Sequence, residues 1–181
     1  GYKDIPRRLT PSKTRFPQPI GKVEIRHLLV AWLLLSFCFS LRYVFGAPSI
    51  FPLMFIISLG TVGAGFVLHE LTHKFGAQRY GFWAEFRVWP WGLIMALMFA
   101  FASGGTFIFA APGATYIAPR IYSLNHSTKI IRRQSGLISL AGPLSNIALA
   151  AVFLIISGFD GLLGLVGMIG FQVNLWLAAF N

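Results

Sequence analysis

The sequence predicts an all-α membrane protein, a polytopic helical bundle of about four to five transmembrane segments with one re-entrant segment. Three observations predict this class. Of the 181 residues, 56% are hydrophobic and only 11% are charged, whereas soluble domains carry about 25% charged residues. The mean hydropathy is +0.70. The apolar residues also form a few long segments, which is typical of helices that cross a bilayer.

The chain divides into a basic N-terminal tail, residues 1–27, and a membrane-embedded core, residues 28–181. The tail has the composition of a polar segment and predicts no cleavable signal peptide. The net charge of +10 comes from basic residues in this tail and in the loops beside apolar segments, as membrane proteins require. We therefore expect a lipid bilayer and no nucleic acid as partner. The single cysteine, Cys38, excludes an intrachain disulfide and a cysteine metal cluster.

Four apolar segments are interpreted as transmembrane helices. The first, residues 28–41, is shorter than the usual span of about 20 residues and predicts a tilted or shielded helix. The second, residues 50–68, contains no charge and is long enough to cross nearly the whole hydrocarbon layer. The third and fourth, residues 135–157 and 161–181, are separated by a Gly-Phe-Asp-Gly turn.

Residues 89–112 are apolar but contain a Ser-Gly-Gly interruption at 103–105, so they form either one crossing or a re-entrant hairpin. If the basic tail is cytoplasmic, the loop after the second helix, with Lys74, Arg79 and Arg87, is cytoplasmic too. A re-entrant segment keeps the following basic residues on that same side. The positive-inside tendency therefore favours re-entry for residues 89–112. The basic residues in question are Arg120, Lys129, Arg132 and Arg133.

Glycine recurs at a spacing of three along the last apolar segment, at residues 158, 161, 164, 167 and 170. Close packing against another helix is one explanation. A flexible half-helix that admits substrate is the other. A second cluster of small residues, 60–65, precedes a polar motif and is interpreted as a close-packing site.

That polar motif, residues 69–73, has the pattern H-E-x-x-H. On a helix, the i, i+4 spacing places His69 and His73 on one face, where both imidazoles can bind a single tetrahedral Zn²⁺. Glu70 then lies beside a metal-activated water and is the predicted general base for attack on a peptide carbonyl. An interfacial polar cluster, hydrogen-bonded to neighbouring helices, is the alternative. Metal binding is favoured because these groups end an uncharged apolar helix, where unpaired polar side chains are costly.

Residues 50–181 resemble the site-2 protease family. The H-E-x-x-H motif is followed by Ala-Gly-Pro-Leu-Ser-Asn at 141–146 and by Asn-Leu-Trp-Leu-Ala-Ala-Phe-Asn at 174–181, in the family's order and spacing. Residues 84–90 and 109–114 resemble stretches of archaeal members. The resemblance implies an intramembrane zinc endopeptidase in the cell membrane, multi-pass, that hydrolyses peptide bonds of membrane-spanning protein substrates. It also implies a catalytic role for Asn181, whose amide would donate to the oxyanion; terminating the helix is the alternative.

The family's third zinc ligand is an aspartate in a Pro-x-Asp-Gly segment, which would lie about eight residues beyond Asn181. We therefore expect a core that is incomplete at its C-terminus, or an aspartate from a separate chain. Asp160 precedes the last helix and is interpreted as a turn residue. An alternative function is a catalytically silent, site-2-protease-like membrane scaffold that binds transmembrane segments. A transporter is disfavoured because no inverted repeat is visible.

Other polar residues receive structural interpretations. Asn146 is expected to bond between helices. His27, His126 and Glu85 are expected to be interfacial anchors, with Arg87 as a partner for Glu85. The backbone at 112–114 is expected to offer an edge beside the zinc, against which an unwound substrate pairs as an added strand. The sequence leaves the oligomeric state and the individual substrate open.

Overall fold

The computed structural model describes residues 19–118 and 128–181. Most of the predicted tail, Arg120 and His126 lie outside these residues. Within them the chain forms six α-helices and two strands, together with a short 3₁₀ turn and one π-helical segment. In order these are α1 (Lys22–Gly46), the 3₁₀ turn (Pro48–Ile50), α2 (Phe51–Val62), the π segment (Gly63–Val67), α3 (Leu68–Arg79), β1 (Trp83–Val88), α4 (Pro90–Ala102), β2 (Gly113–Ala118), α5 (Thr128–Ile156) and α6 (Gly161–Phe180).

Among the described residues, four helical stretches are long and apolar enough to cross a membrane, which confirms the predicted class and a multi-pass membrane protein. They are Lys22–Gly46, Pro48–Arg79, Arg132–Ile156 and Gly161–Phe180. The first helix is longer than the predicted 28–41 because it includes the first-turn residue Glu24. Glu24 forms an ion pair with Lys74, so its charge does not end the helix.

The second span, Pro48–Arg79, runs without a break from the 3₁₀ turn to the end of α3. Its π segment replaces the regular α-helix that the sequence predicted. A β-carbon at Gly63 would lie 2.7 Å from Trp32 Nε1 in α1, and one at Gly65 would lie 2.6 Å from Asn174 Oδ1 in α6. Both glycines therefore let neighbouring helices approach closely, as the small-residue cluster predicted. The indole of Trp32 also donates to Leu59 O at 2.8 Å.

The two ends of the segment 89–112 lie next to each other. The apolar helix α4 has 13 residues, about 20 Å at 1.5 Å per residue, which is too short to span a bilayer. The amide of Trp89 donates to Pro112 O at 2.8 Å, so the two ends of the segment lie side by side. This is the geometry of the re-entrant interpretation. The returning chain forms β2, which pairs antiparallel with β1 from Trp83↔Ala118 to Val88↔Gly113; this small hairpin was not predicted.

Helices α5 and α6 form an antiparallel pair joined by a tight turn at Asp160. Gly161 has φ +68, a left-handed conformation that favours glycine. β-carbons at Gly164, Gly167 and Gly170 would overlap Phe159 O, Ser157 N and the Phe153 ring. The glycine ridge thus packs against the C-terminal end of α5 and the turn that follows it, in agreement with the close-packing explanation. The pair brings the C-terminal end of α6 beside α3.

Candidate active site

The two histidines of the motif converge on one point. Both lie on α3, and their Nε2 atoms are 3.0 Å apart. His69 is only 1% exposed. The helical spacing therefore brings both imidazoles to one face, as the sequence predicted.

The opposite ring nitrogens determine which atoms carry protons. His69 Nδ1 lies 2.5 Å from Asn146 Oδ1, and His73 Nδ1 lies 2.7 Å from Ile138 O. Because both partners are oxygen acceptors, each neutral ring carries its proton on Nδ1 and donates it. Both Nε2 atoms consequently present lone pairs to the same point.

The orientation of the Asn146 amide is fixed by two further acceptors. Asn146 Nδ2 donates to Gly65 O at 3.1 Å in the π segment and to Asn174 Oδ1 at 3.0 Å. Asn174 Nδ2 in turn donates to Gly170 O at 2.8 Å. Since backbone carbonyls accept at both ends, neither amide can be reversed without losing hydrogen bonds. The Asn146 oxygen must therefore face His69.

Two lone pairs 3.0 Å apart repel each other unless a cation lies between them. In a tetrahedral site with Zn–N bonds of about 2.0–2.1 Å, two ligand nitrogens lie about 3.3 Å apart, so small ring movements suffice. Gly142 on α5 faces the same point: a β-carbon there would lie 2.5 Å from His69 Nε2 and closer still to His73 Nε2. The two imidazoles and the glycine opposite them fit a zinc ion. Within residues 19–118 and 128–181, no group of three His, Cys, Asp or Glu side chains is suited to a metal.

Glu70 is buried at 4% exposure and has one partner for each oxygen. Thr115 Oγ1 on β2 donates to Oε2 at 2.8 Å, and Asn181 Nδ2 donates to Oε1 at 3.3 Å. Asn181 follows the last turn of α6, so the predicted residue does reach the site. All four predicted site residues line one cavity of about 230 Å³, together with Gly113, Ala114, Thr115, Ile117 and Ser139.

Comparison with known proteins identifies a relative of this chain. Over 145 residues the chain is 43% identical to a Methanocaldococcus jannaschii protein named "Putative zinc metalloprotease MJ0611"; the match covers 78% of this chain and 71% of that protein. The chain belongs to this zinc metalloprotease family. No family model and no solved structure matches the chain.

In this family member, the cavity lies along the outer edge of β2. Trp89 and Pro112 form a hydrogen-bonded pair, and in an antiparallel ladder such pairs alternate with non-hydrogen-bonded pairs. The even-numbered residues of β2 are therefore the ones that bond to β1. The backbone groups of Gly113, Thr115 and Ile117 point away from β1, and these three residues line the cavity. No hydrogen bond joins their amides or carbonyls to another part of the described chain. The strand edge thus begins at the 112–114 backbone, as predicted from sequence.

The other polar residues considered from the sequence have the following positions. Asp160 precedes α6, some 30 Å along the helix from Asn181 at 1.5 Å per residue, and is a turn residue as interpreted. Glu85 pairs with Arg87, as expected. Asn146 does bond between helices, and it also holds a predicted metal ligand. Gly142 and Asn174 lie in the two segments that carried the resemblance but were given no role at the site. Thr115 was not singled out, because only the fold brings it to the motif.

Proposed function

We propose that the chain is an intramembrane zinc endopeptidase of the site-2 protease type, which hydrolyses peptide bonds of transmembrane protein substrates in the cell membrane. The observation that carries the proposal is the convergence of His69 and His73 Nε2 at 3.0 Å inside a multi-pass bundle. His69 and His73 would hold the zinc, and the resemblance implies a third ligand, an aspartate that would follow Asn181 or come from a separate chain. When bound, zinc supplies an acidified water ligand and polarises the substrate carbonyl.

Glu70 is the proposed general base. Its carboxylate lies next to His69 in sequence and faces the same cavity, within reach of a water between the histidines and the substrate. The hydroxyl of Thr115 and the amide of Asn181 each hold one carboxylate oxygen, which restricts the orientation of Glu70. The base is therefore preorganised before substrate arrives.

Asn181 is the proposed oxyanion donor. Its side-chain amide has two hydrogens, and one of them is directed to Glu70. The other is available to the carbonyl oxygen of a peptide in the cavity, where negative charge develops during attack. A single side chain can thus contact both the base and the reacting carbonyl.

The proposed substrate is an extended segment of a membrane protein. A helical peptide cannot be cut, because its backbone carbonyls are already hydrogen-bonded within the helix. The outer edge of β2 offers the backbone groups of three residues beside the histidines, so an unwound segment can pair there as an added strand. Pairing would place its scissile carbonyl in the cavity.

The test uses purified full-length protein in lipid nanodiscs, with zinc and a set of transmembrane peptides of differing helix stability. We expect cleavage within the apolar segment, loss of cleavage on chelation and recovery when zinc is restored. Peptides with helix-breaking residues should be cut faster than matched alanine versions. Failure of the zinc-loaded protein, with Glu70 intact, to cut any of them would overturn the proposal. Zinc-independent binding of the peptides without cleavage would favour the scaffold alternative.

A further inference from the structure

The hairpin has a second edge, and it is closed. The amide of Phe86 donates to Glu24 Oε1 at 3.0 Å, and the amide of Val88 donates to His27 Nδ1 at 3.1 Å. Lys74 Nζ donates to Ala84 O at 3.3 Å. These groups belong to alternate residues of β1, which face away from β2. We refer to Glu24, His27 and Lys74 as the edge clamp.

The edge clamp contains a buried ion pair. Lys74 Nζ and Glu24 Oε2 are 2.5 Å apart, and their side chains are 1% and 2% exposed. Buried ion pairs in proteins contribute little net stability compared with apolar residues of similar size. The free energy of folding therefore explains this pair poorly. Its hydrogen bonds to the β1 backbone, at Ala84 O and Phe86 N, suggest a specific role in holding that strand.

The pair joins the metal-binding helix to the hairpin. Lys74 follows His73 directly in α3, and Glu24 holds the Phe86 amide in β1. β1 pairs with β2 through the register Phe86↔Thr115, and Thr115 holds Glu70. A continuous chain of contacts thus runs from α3, through Glu24 and both strands, back to the catalytic carboxylate on the same helix.

We propose that Glu24, His27 and Lys74 are positioning residues that close the β1 edge and hold β2 at a fixed distance from Glu70, leaving β2 as the edge for an extended peptide. This inference rests on the proposed function only for the effect on turnover. The closure of β1 is a property of the folded chain and can be measured without a substrate.

The main variant is Glu24→Leu with Lys74→Met, in which apolar residues of similar size replace the pair. This exchange preserves packing but removes the acceptor for the Phe86 amide. The matched variant, Glu24→Gln with Lys74→Met, also removes both charges yet keeps an amide oxygen for Phe86. Glu85→Gln with Arg87→Met is the control, because it removes the other ion pair of β1 and leaves the edge clamp intact.

The first measurement is backbone amide exchange in the full-length, zinc-loaded protein. We expect the Phe86 amide of the Leu/Met variant to exchange about tenfold faster, the factor that corresponds to one hydrogen bond. The Gln/Met variant and the control should exchange at the wild-type rate. Wild-type exchange at Phe86 in the Leu/Met variant would overturn the closure of the β1 edge.

The second measurement is the steady-state kinetics of peptide cleavage, with kcat and KM determined separately. A displaced β2 misaligns Glu70, so the Leu/Met variant should lose up to about 100-fold in kcat at unchanged zinc content. The Gln/Met variant should keep a kcat near the wild-type value. An equal loss of kcat in both variants would overturn the positioning role. If the Leu/Met variant does not fold, His27→Leu gives the same test at the Val88 amide. If wild-type protein cleaves nothing, the proposed function fails while the exchange result still decides on the clamp.

Discussion

Asn146 Oδ1 accepts a hydrogen bond from His69 Nδ1 at 2.5 Å, and this contact determines the chemistry of the opposite ring nitrogen. A neutral histidine can carry its proton on either ring nitrogen, and the form protonated on Nε2 cannot bind a metal through that atom. Asn146 removes that freedom. Its own orientation is fixed by Gly65 O and Asn174, so the π segment and α6 both contribute to the proposed metal site.

Replacing Asn146 with alanine should weaken zinc binding about 10- to 100-fold, the usual effect of losing a partner that orients a metal-ligating histidine. Zinc affinity is measured by competition with a chromophoric chelator. Ser145→Ala is the control, since within the described residues the Ser145 hydroxyl bonds to Gly142 O of its own helix. Unchanged affinity in Asn146→Ala would show that the amide does not orient His69.

Gly142→Ala should reduce zinc binding more severely than its single methyl group suggests. The added β-carbon would overlap the Nε2 atoms of both histidines, so the rings must turn away from the common point. Gly136→Ala is the matched control on the same helix, because no atom of the described residues lies within 4 Å of its β-carbon. Zinc content measured on both purified variants tests the prediction. Equal zinc content would mean that α5 can move away at little cost.

The sequence predicted the parts of this protein that local patterns determine. Apolar segment length gave the four membrane spans, and the i, i+4 spacing gave the His69–His73 face. Long-range pairing was not predictable in this way: β1 and β2 are short strands separated by α4. Residues 84–88 alternate apolar and polar side chains, but no local pattern says which segment they pair with, and β2 shows no clear alternation. Thr115 was missed for that reason. Glu24 falls within the predicted basic tail, residues 1–27, because the sequence does not show that Lys74, 50 residues away, is its buried partner.

Labelling of introduced cysteines tests the orientation that the charge distribution predicts. Arg79→Cys and Arg132→Cys, each in a Cys38→Ser background, place single thiols at two exposed positions. A membrane-impermeant maleimide should label both from the same face, because a re-entrant segment between them would not cross. Labelling from opposite faces would contradict re-entry.

Thr115→Val should lower kcat about 10- to 100-fold, because a hydrogen bond to a charged group is lost while the shape of the side chain is kept. Zinc content should stay at the wild-type level, since Thr115 contacts neither histidine by a hydrogen bond. Thr106→Val is the control; its hydroxyl donates to Ser103 O in the loop that follows α4. A wild-type kcat in Thr115→Val would exclude an orienting role for this hydroxyl.

Glu70→Gln and His69→Ala should give separable phenotypes. Glutamine at position 70 has the size of glutamate and can still accept from Thr115, so α3 and both imidazoles are undisturbed and zinc should stay bound. The amide cannot take a proton from water, and general-base catalysis contributes a factor of about 10² to 10⁴. Turnover should fall at least that far. His69→Ala instead removes a ligand and should lose zinc and activity together. Zinc content and peptide cleavage measured on the same samples distinguish the two, and a Glu70→Gln protein that cuts at the wild-type rate would exclude Glu70 as the base even with zinc fully bound.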